Sequence, residues 1–213
     1  MAVGAQLADF LGGLFAPRLC WSCSGLARRG EALCATCRAL LHRLAPEPVL
    51  ASGVTVWAPV AYSGPARHLV RALKFRGAIA LADAMAAQIV AHAPSGMLDG
   101  ELVPVPLHPS RLRKRGYNQA AAIAEAVARR TDLAVLHCLV RSGPSITQVG
   151  RDRAERTAAP AGSIHTQGPA PEKVLLVDDV VTTGATLGAC RDALVAHGAR
   201  DVAAVCFART IGR

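Results

Sequence analysis

Val174-Leu-Leu-Val-Asp178-Asp179-Val-Val-Thr182-Thr183-Gly184-Ala185-Thr186 is the stretch that decides the fold. A continuous apolar run leads into two adjacent carboxylates, then a short hydroxyl-rich turn with one glycine, then a helical pattern over 185–199. Such a run, unrelieved by polar alternation, predicts a strand buried on both faces, as in a parallel sheet. In open α/β sheets the ligand lies beyond the carboxyl ends of the strands. Backbone amides of a Thr-Gly turn, backed by a helix N-terminus, form an anion cradle. Thr182, Thr183 and Thr186 add hydroxyls to it. The two carboxylates would repel that same anion, so they suit sugar hydroxyls nearby or a divalent cation. A helix cap would explain Asp179 alone, but neither the doublet nor the three threonines.

Outward from this stretch, apolar runs alternate with helical patterns. Strands are expected at 54–62, 101–108, 174–179 and 201–210, and helices from 64, at 80–93, 118–131 and 185–199. That order predicts an α/β fold, a mostly parallel sheet flanked by helices. Prolines around 45–50 predict a linker, dividing the chain into residues 1–48 and 49–213.

The composition agrees. Hydrophobic residues make up 52% of 213 residues and charged ones 18%, which excludes a disordered chain. No apolar run is long enough for a membrane span. The N-terminal stretch lacks a basic n-region and carries Asp9, so no secretory signal is expected and the protein is placed in the cytoplasm.

Four of the seven cysteines cluster as Cys20-x2-Cys23, ten residues, Cys34-x2-Cys37. Two close thiolate pairs suit tetrahedral Zn2+ in a structural, ribbon-like element. Two disulfides would be unusual in a cytosolic protein, and a redox site would need only one pair. Cys138, Cys190 and Cys206 lie in apolar surroundings and are expected to be inert core residues.

Charge is unevenly spread. Residues 106–156 hold ten basic and four acidic residues, so +6 of the net +9 sits in about a quarter of the chain. This segment should face something anionic, whether phosphates on a small molecule or nucleic acid. Aromatic residues are only 4% of the chain. Trp57 and Tyr117 are the candidates for a stacking wall, and core or loop packing is the plainer role for each.

The Asp178–Thr186 segment resembles the phosphoribosyl-pyrophosphate (PRPP) signature of type I phosphoribosyltransferases. That resemblance implies the type I fold, with Asp178 and Asp179 on the ribose hydroxyls. It puts Val180, Thr182, Thr183, Gly184, Ala185 and Thr186 around the 5′-phosphate. By position, His108 to Gly116 would be the pyrophosphate loop, with His108, Arg111, Arg113 and Arg115, joined by Lys74 of LKFRG (73–77). Many members have a shorter loop there with fewer cations. The stretch from Arg141 through Gln148 to Arg156 would be a mobile loop that closes over PRPP and excludes water, with Arg141 and Gln148 as catalytic candidates.

The four-cysteine N-terminus, Tyr62-SGPARHLVRALKFRG77, Val103-PVPLHPSRLRKRGYNQA120 and the acid-doublet segment together resemble the ComF family of competence-associated proteins. Members often carry Asn soon after the last-loop Arg, where this chain has Thr157 after Arg156. Two functions follow from the resemblance. One is an enzyme that moves ribose-5-phosphate from PRPP to a nitrogen acceptor, with Mg2+ as bridge. The other is a non-catalytic protein of DNA uptake, contacting single-stranded DNA beside a helicase-like partner, its PRPP site a sensor or a relic.

Overall fold

The computed structural model describes residues 19–142 and 163–212. In chain order they form α1 (Ala35–Ala39), β1 (Val49–Ala51), β2 (Val54–Trp57), β3 (Val60–Ala61), α2 (Gly64–Phe75), α3 (Leu81–His92) and β4 (Glu101–Pro104). There follow α4 (Pro109–Arg115), α5 (Gln119–Ala128), β5 (Leu139–Arg141), β6 (Ile164–Thr166), β7 (Lys173–Val181), α6 (Ala185–Val195) and β8 (Asp201–Arg209).

The main sheet runs β1-β2-β8-β7-β4, with β3 also against β8. Its pairs are parallel except β1–β2. β5 and β6 form a separate antiparallel ribbon. Because side chains alternate across the pleat, each strand feeds two cores. Leu175, Val177, Val205 and Phe207 face α2, α3 and α5. Val174, Leu176, Ala204 and Cys206 face α6 and the β5–β6 ribbon. Leu175 and Leu176 are fully buried on opposite sides, each burial contributing about 1.5–3 kcal/mol. The expected mostly parallel sheet flanked by helices, with a small four-cysteine element before it, is therefore what the chain builds.

Three expectations are corrected locally. The strand expected over 54–62 is broken, because Pro59 offers no amide to the ladder; pairing with β8 resumes at Val60 and Ala61. The end of the expected linker pairs as β1, closed by Ser52 (φ 49°) and Gly53 (φ 76°). Two positive-φ residues make the type I′ turn whose twist suits a hairpin. The stretch expected as a pyrophosphate loop is largely helix α4. His108 caps it, accepting from Ser110 N at 3.2 Å, and Gly116 ends it in the left-handed conformation.

The cysteine element is packed onto the sheet domain rather than held off it. Cys20, Leu33, Cys37 and Leu41 share the core of α2 and α3, and the main chain at His42 and Leu44 bonds to Ala61 and Pro59. No helix among the described residues is long and apolar enough to cross a membrane.

Candidate sugar-phosphate crevice and four-cysteine cluster

β7 continues past the acid doublet to Val181, which pairs with Arg209. The two acids therefore lie inside a strand, and the pleat sends them to opposite faces. Asp179 enters the α2 side, where it is 1% exposed and its Oδ2 lies 2.8 Å from Lys74 Nζ. Asp178 points toward α6, half-buried, and accepts from the Asp179 amide at 2.8 Å. Burial, reinforced by the adjacent Asp179 charge, raises the Asp178 carboxyl well above the ordinary range. Burial pulls Lys74 down, but the charges of Asp179 and Asp178 outweigh it and hold the ammonium above its usual value.

Asp178 and residues 180–187 line a crevice of about 40 Å³ at the end of β7. All the residues expected on the sugar phosphate fall there except Asp179. Gly184 precedes α6 at φ 82° and has no side chain to cap it. The Ala185 amide donates to Thr183 Oγ1 at 3.4 Å, and Ala185 and Thr186 bring the positive end of the helix dipole to the crevice. A Cβ at Gly184 would stand 2.7 Å from Ala51 Cβ, so only glycine fits. Sequence reasoning missed the part played here by the β1–β2 hairpin. Ser52 Oγ donates to Thr183 O at 3.1 Å, Arg191 donates to Gly53 O at 2.9 Å, and a Cβ on Gly188 would meet Ser52 O at 3.0 Å. The Ser-Gly pair between apolar runs was the available signal.

The expected cations divide. Arg115 is half-buried, its pKa lowered by burial and partly restored by Asp179 and Asp178; it donates to Gln119 Oε1 and lies over the Phe75 ring, 5.7 Å from the centroid. Arg141, on β5, is lowered by burial and by neighbouring Arg111, and its Nε is buried without a hydrogen-bond partner among the described residues. Arg113 is exposed on α4 with nothing bringing it to the crevice. Gln148 lies outside the described residues. Trp57 is core, 2% exposed, and Tyr117 donates its hydroxyl to Leu73 O, so neither forms a stacking wall.

The sulfurs of Cys20, Cys23, Cys34 and Cys37 all lie within 4.8 Å of one another. Tetrahedral zinc with Zn–S near ~2.3 Å requires sulfurs about 3.8 Å apart, and Cys23 Sγ to Cys34 Sγ is 3.7 Å. Main-chain amides of Ser22 and Cys37 point at Cys20 and Cys34 sulfurs, each at 3.4 Å. Burial alone would raise Cys20, but amides near Cys23, Cys34 and Ser22 bring it down to about 6, while burial pushes Cys37 up to about 12. The donor set fits a soft divalent metal. Cys138, Cys190 and Cys206 are core residues as expected, and burial raises all three.

No family model matches the chain. It is 27% identical over 211 residues to the DNA utilization protein YhgH of Escherichia coli O6:H1, covering 91% of each chain. It is 32% identical over 103 residues to competence protein ComFC of Streptococcus pneumoniae, 48% of this chain and 44% of that one. Competence protein F of Haemophilus influenzae is 33% identical over 106 residues, 47% and 46% of the two chains. The chain thus spans under half the length of the two competence proteins. Two solved structures are similar at 18% identity. Leishmania donovani UMP synthase covers 64% of this chain and 23% of its own, at a TM-score of 0.34. An allosteric regulatory enzyme of purine biosynthesis covers 58% and 25%, at 0.37. Likeness at that level is too slight to build on. The curated relatives bear out the resemblance to the ComF family.

Proposed function

We propose that this protein binds PRPP in the crevice at the end of β7 and serves DNA uptake or utilization, with transfer of ribose-5-phosphate to a nitrogen acceptor as its chemistry. One observation carries the reading: a half-buried carboxyl, Asp178, lines one narrow crevice with a Thr-Thr-Gly turn and a helix N-terminus. An acceptor for hydroxyls and donors for phosphate thereby line one crevice. In transfer, the bond from ribose C1 to pyrophosphate breaks with its electron pair leaving on pyrophosphate, a C1–N bond forms, and the nitrogen's proton passes to water. The guanidinium groups of Arg111, Arg115 and Arg141 would stabilise the charge that develops on the leaving group. Mg2+ suits Asp178, since it takes one or two carboxylates with substrate phosphates, and it would neutralise charge on the pyrophosphate.

In this reading Lys74 and Asp179 hold each other and act on the site through the shape of β7. Residues 1–48 carry Zn2+ as a structural ion and 49–213 the PRPP-binding domain, in the cytoplasm. The DNA role rests on what the relatives' names say of those proteins, and on the basic segment. If the crevice only senses PRPP, binding persists without turnover. Isothermal calorimetry with PRPP and Mg2+ tests binding, and pyrophosphate release across nucleobases tests turnover. For DNA, the expected result is affinity that falls steeply with salt; a slope near zero would remove that part of the reading.

A further inference from the structure

Phe75 is the aromatic most open to solvent among the described residues, at 73% exposed. It ends α2, next to Lys74, whose ammonium is tied to Asp179. The Arg115 guanidinium lies over one ring face, 5.7 Å from the centroid, and Arg115 also interacts electrostatically with Asp179 and Asp178. Arg71, one helical turn before Phe75, is exposed. Together α2 and α4 hold seven Lys and Arg and no Asp or Glu. A large apolar ring held in water, braced by a cation, on helices that carry cations and no acids of their own, is poorly explained as packing. It matches what recognises a flat heterocycle attached to, or lying near, phosphate.

We propose that Phe75, braced by Arg115, is a stacking platform for a nucleobase at the end of α2. The base has two sources: a nucleotide within single-stranded DNA, or a free base serving as nitrogen acceptor. The free-base source rests on the PRPP reading above; the DNA source does not. Arg115 is a positioning residue here, since it fixes the ring and leaves the other face open. Loss of the platform removes the base-dependent part of binding and spares the part due to phosphates.

The test uses the full chain with oligothymidylate and an abasic oligonucleotide of equal length, followed by fluorescence anisotropy without PRPP. A parallel arm follows adenine, guanine, hypoxanthine and uracil by equilibrium dialysis, with and without PRPP and Mg2+. The variants are Phe75→Ala, Phe75→Leu and Phe75→Trp, with thermal melts to show that each folds. If DNA is the source, Phe75→Ala and Phe75→Leu weaken oligothymidylate binding on the order of 5- to 100-fold. Abasic binding stays as it was, and Phe75→Trp restores the base-dependent part. If the acceptor is the source, the same pattern appears in dialysis of one free base. Either pattern supports the platform. No base-dependent affinity in the wild type, or affinity unchanged in Phe75→Ala in both arms, overturns it. PRPP calorimetry on the wild type reports the crevice separately: heat there with no effect at Phe75 sinks the platform alone, and the reverse sinks the PRPP reading alone.

Discussion

Lys74 Nζ sits 2.8 Å from Asp179 Oδ2, tying the last turn of α2 to the interior strand β7 across the α2-side core. The carboxylate is 1% exposed and the lysine side chain 26%. Removing one partner of such a pair leaves a desolvated charge uncompensated, which costs far more than the pair itself contributes. Lys74→Met should lower unfolding stability by about 3 kcal/mol in chemical denaturation, with Lys74→Arg much milder. The native lysine titrates above its unfolded value. Its contribution is therefore complete below the unfolded value and is lost as pH rises through the native one.

Asp178 behaves in the opposite sense. Burial and the Asp179 charge raise it well above 3.8, so between the two values the native state binds more proton than the unfolded state. Stability should fall as pH rises through that interval. Asp178→Asn keeps an acceptor for the Asp179 amide and removes the fall. The variant should be more stable than wild type at neutral pH, with the difference vanishing in acid, as read by thermal melts across pH.

Glycine is required at the turn for two separable reasons. Gly184→Ala meets both positive φ (82°) and Ala51 Cβ at 2.7 Å; Gly77→Ala meets positive φ (66°) with no neighbour within 4 Å. Conformational strain costs about 1–2 kcal/mol and overpacking a further ~1–3 kcal/mol. Urea unfolding should therefore rank Gly184→Ala as the more damaging, by at least about 1 kcal/mol.

Purified reduced protein should carry about one equivalent of zinc, replaceable by Co2+ with a tetrahedral visible spectrum. Cys23→Ser or Cys34→Ser should lose it. Because Cys20 and Cys37 sit in the core of α2 and α3, chelation should also lower the melting temperature of the whole domain. Metal content well below one equivalent, or an unshifted melt, would contradict the cluster's structural role.

The sheet and the crevice were legible because their determinants are local in the chain. The apolar run at 174–177, the Thr-Thr-Gly turn and the paired cysteines each state a conformation within a few residues. Asn118 does so too, capping α5 through the Ala120 amide at 3.0 Å. The helix at 109–115 was not legible: its one apolar residue, Leu112, is exposed, so no hydrophobic period marks it. The pairing of Lys74 with Asp179 was equally hidden. It depends on pleat phase, set once the ladder continues to Val181, and on where α2 ends. Chemistry suggested two equivalent carboxylates; the strand's two-residue period separates them.

Calorimetry of the wild type with PRPP and Mg2+, against Asp178→Asn, tests the account most directly. One-site binding is predicted in the wild type, weakened on the order of 10-fold or more in the variant by loss of a carboxyl that accepts from the ribose hydroxyls. No heat in the wild type at millimolar PRPP, or equal binding by the two proteins, would contradict it.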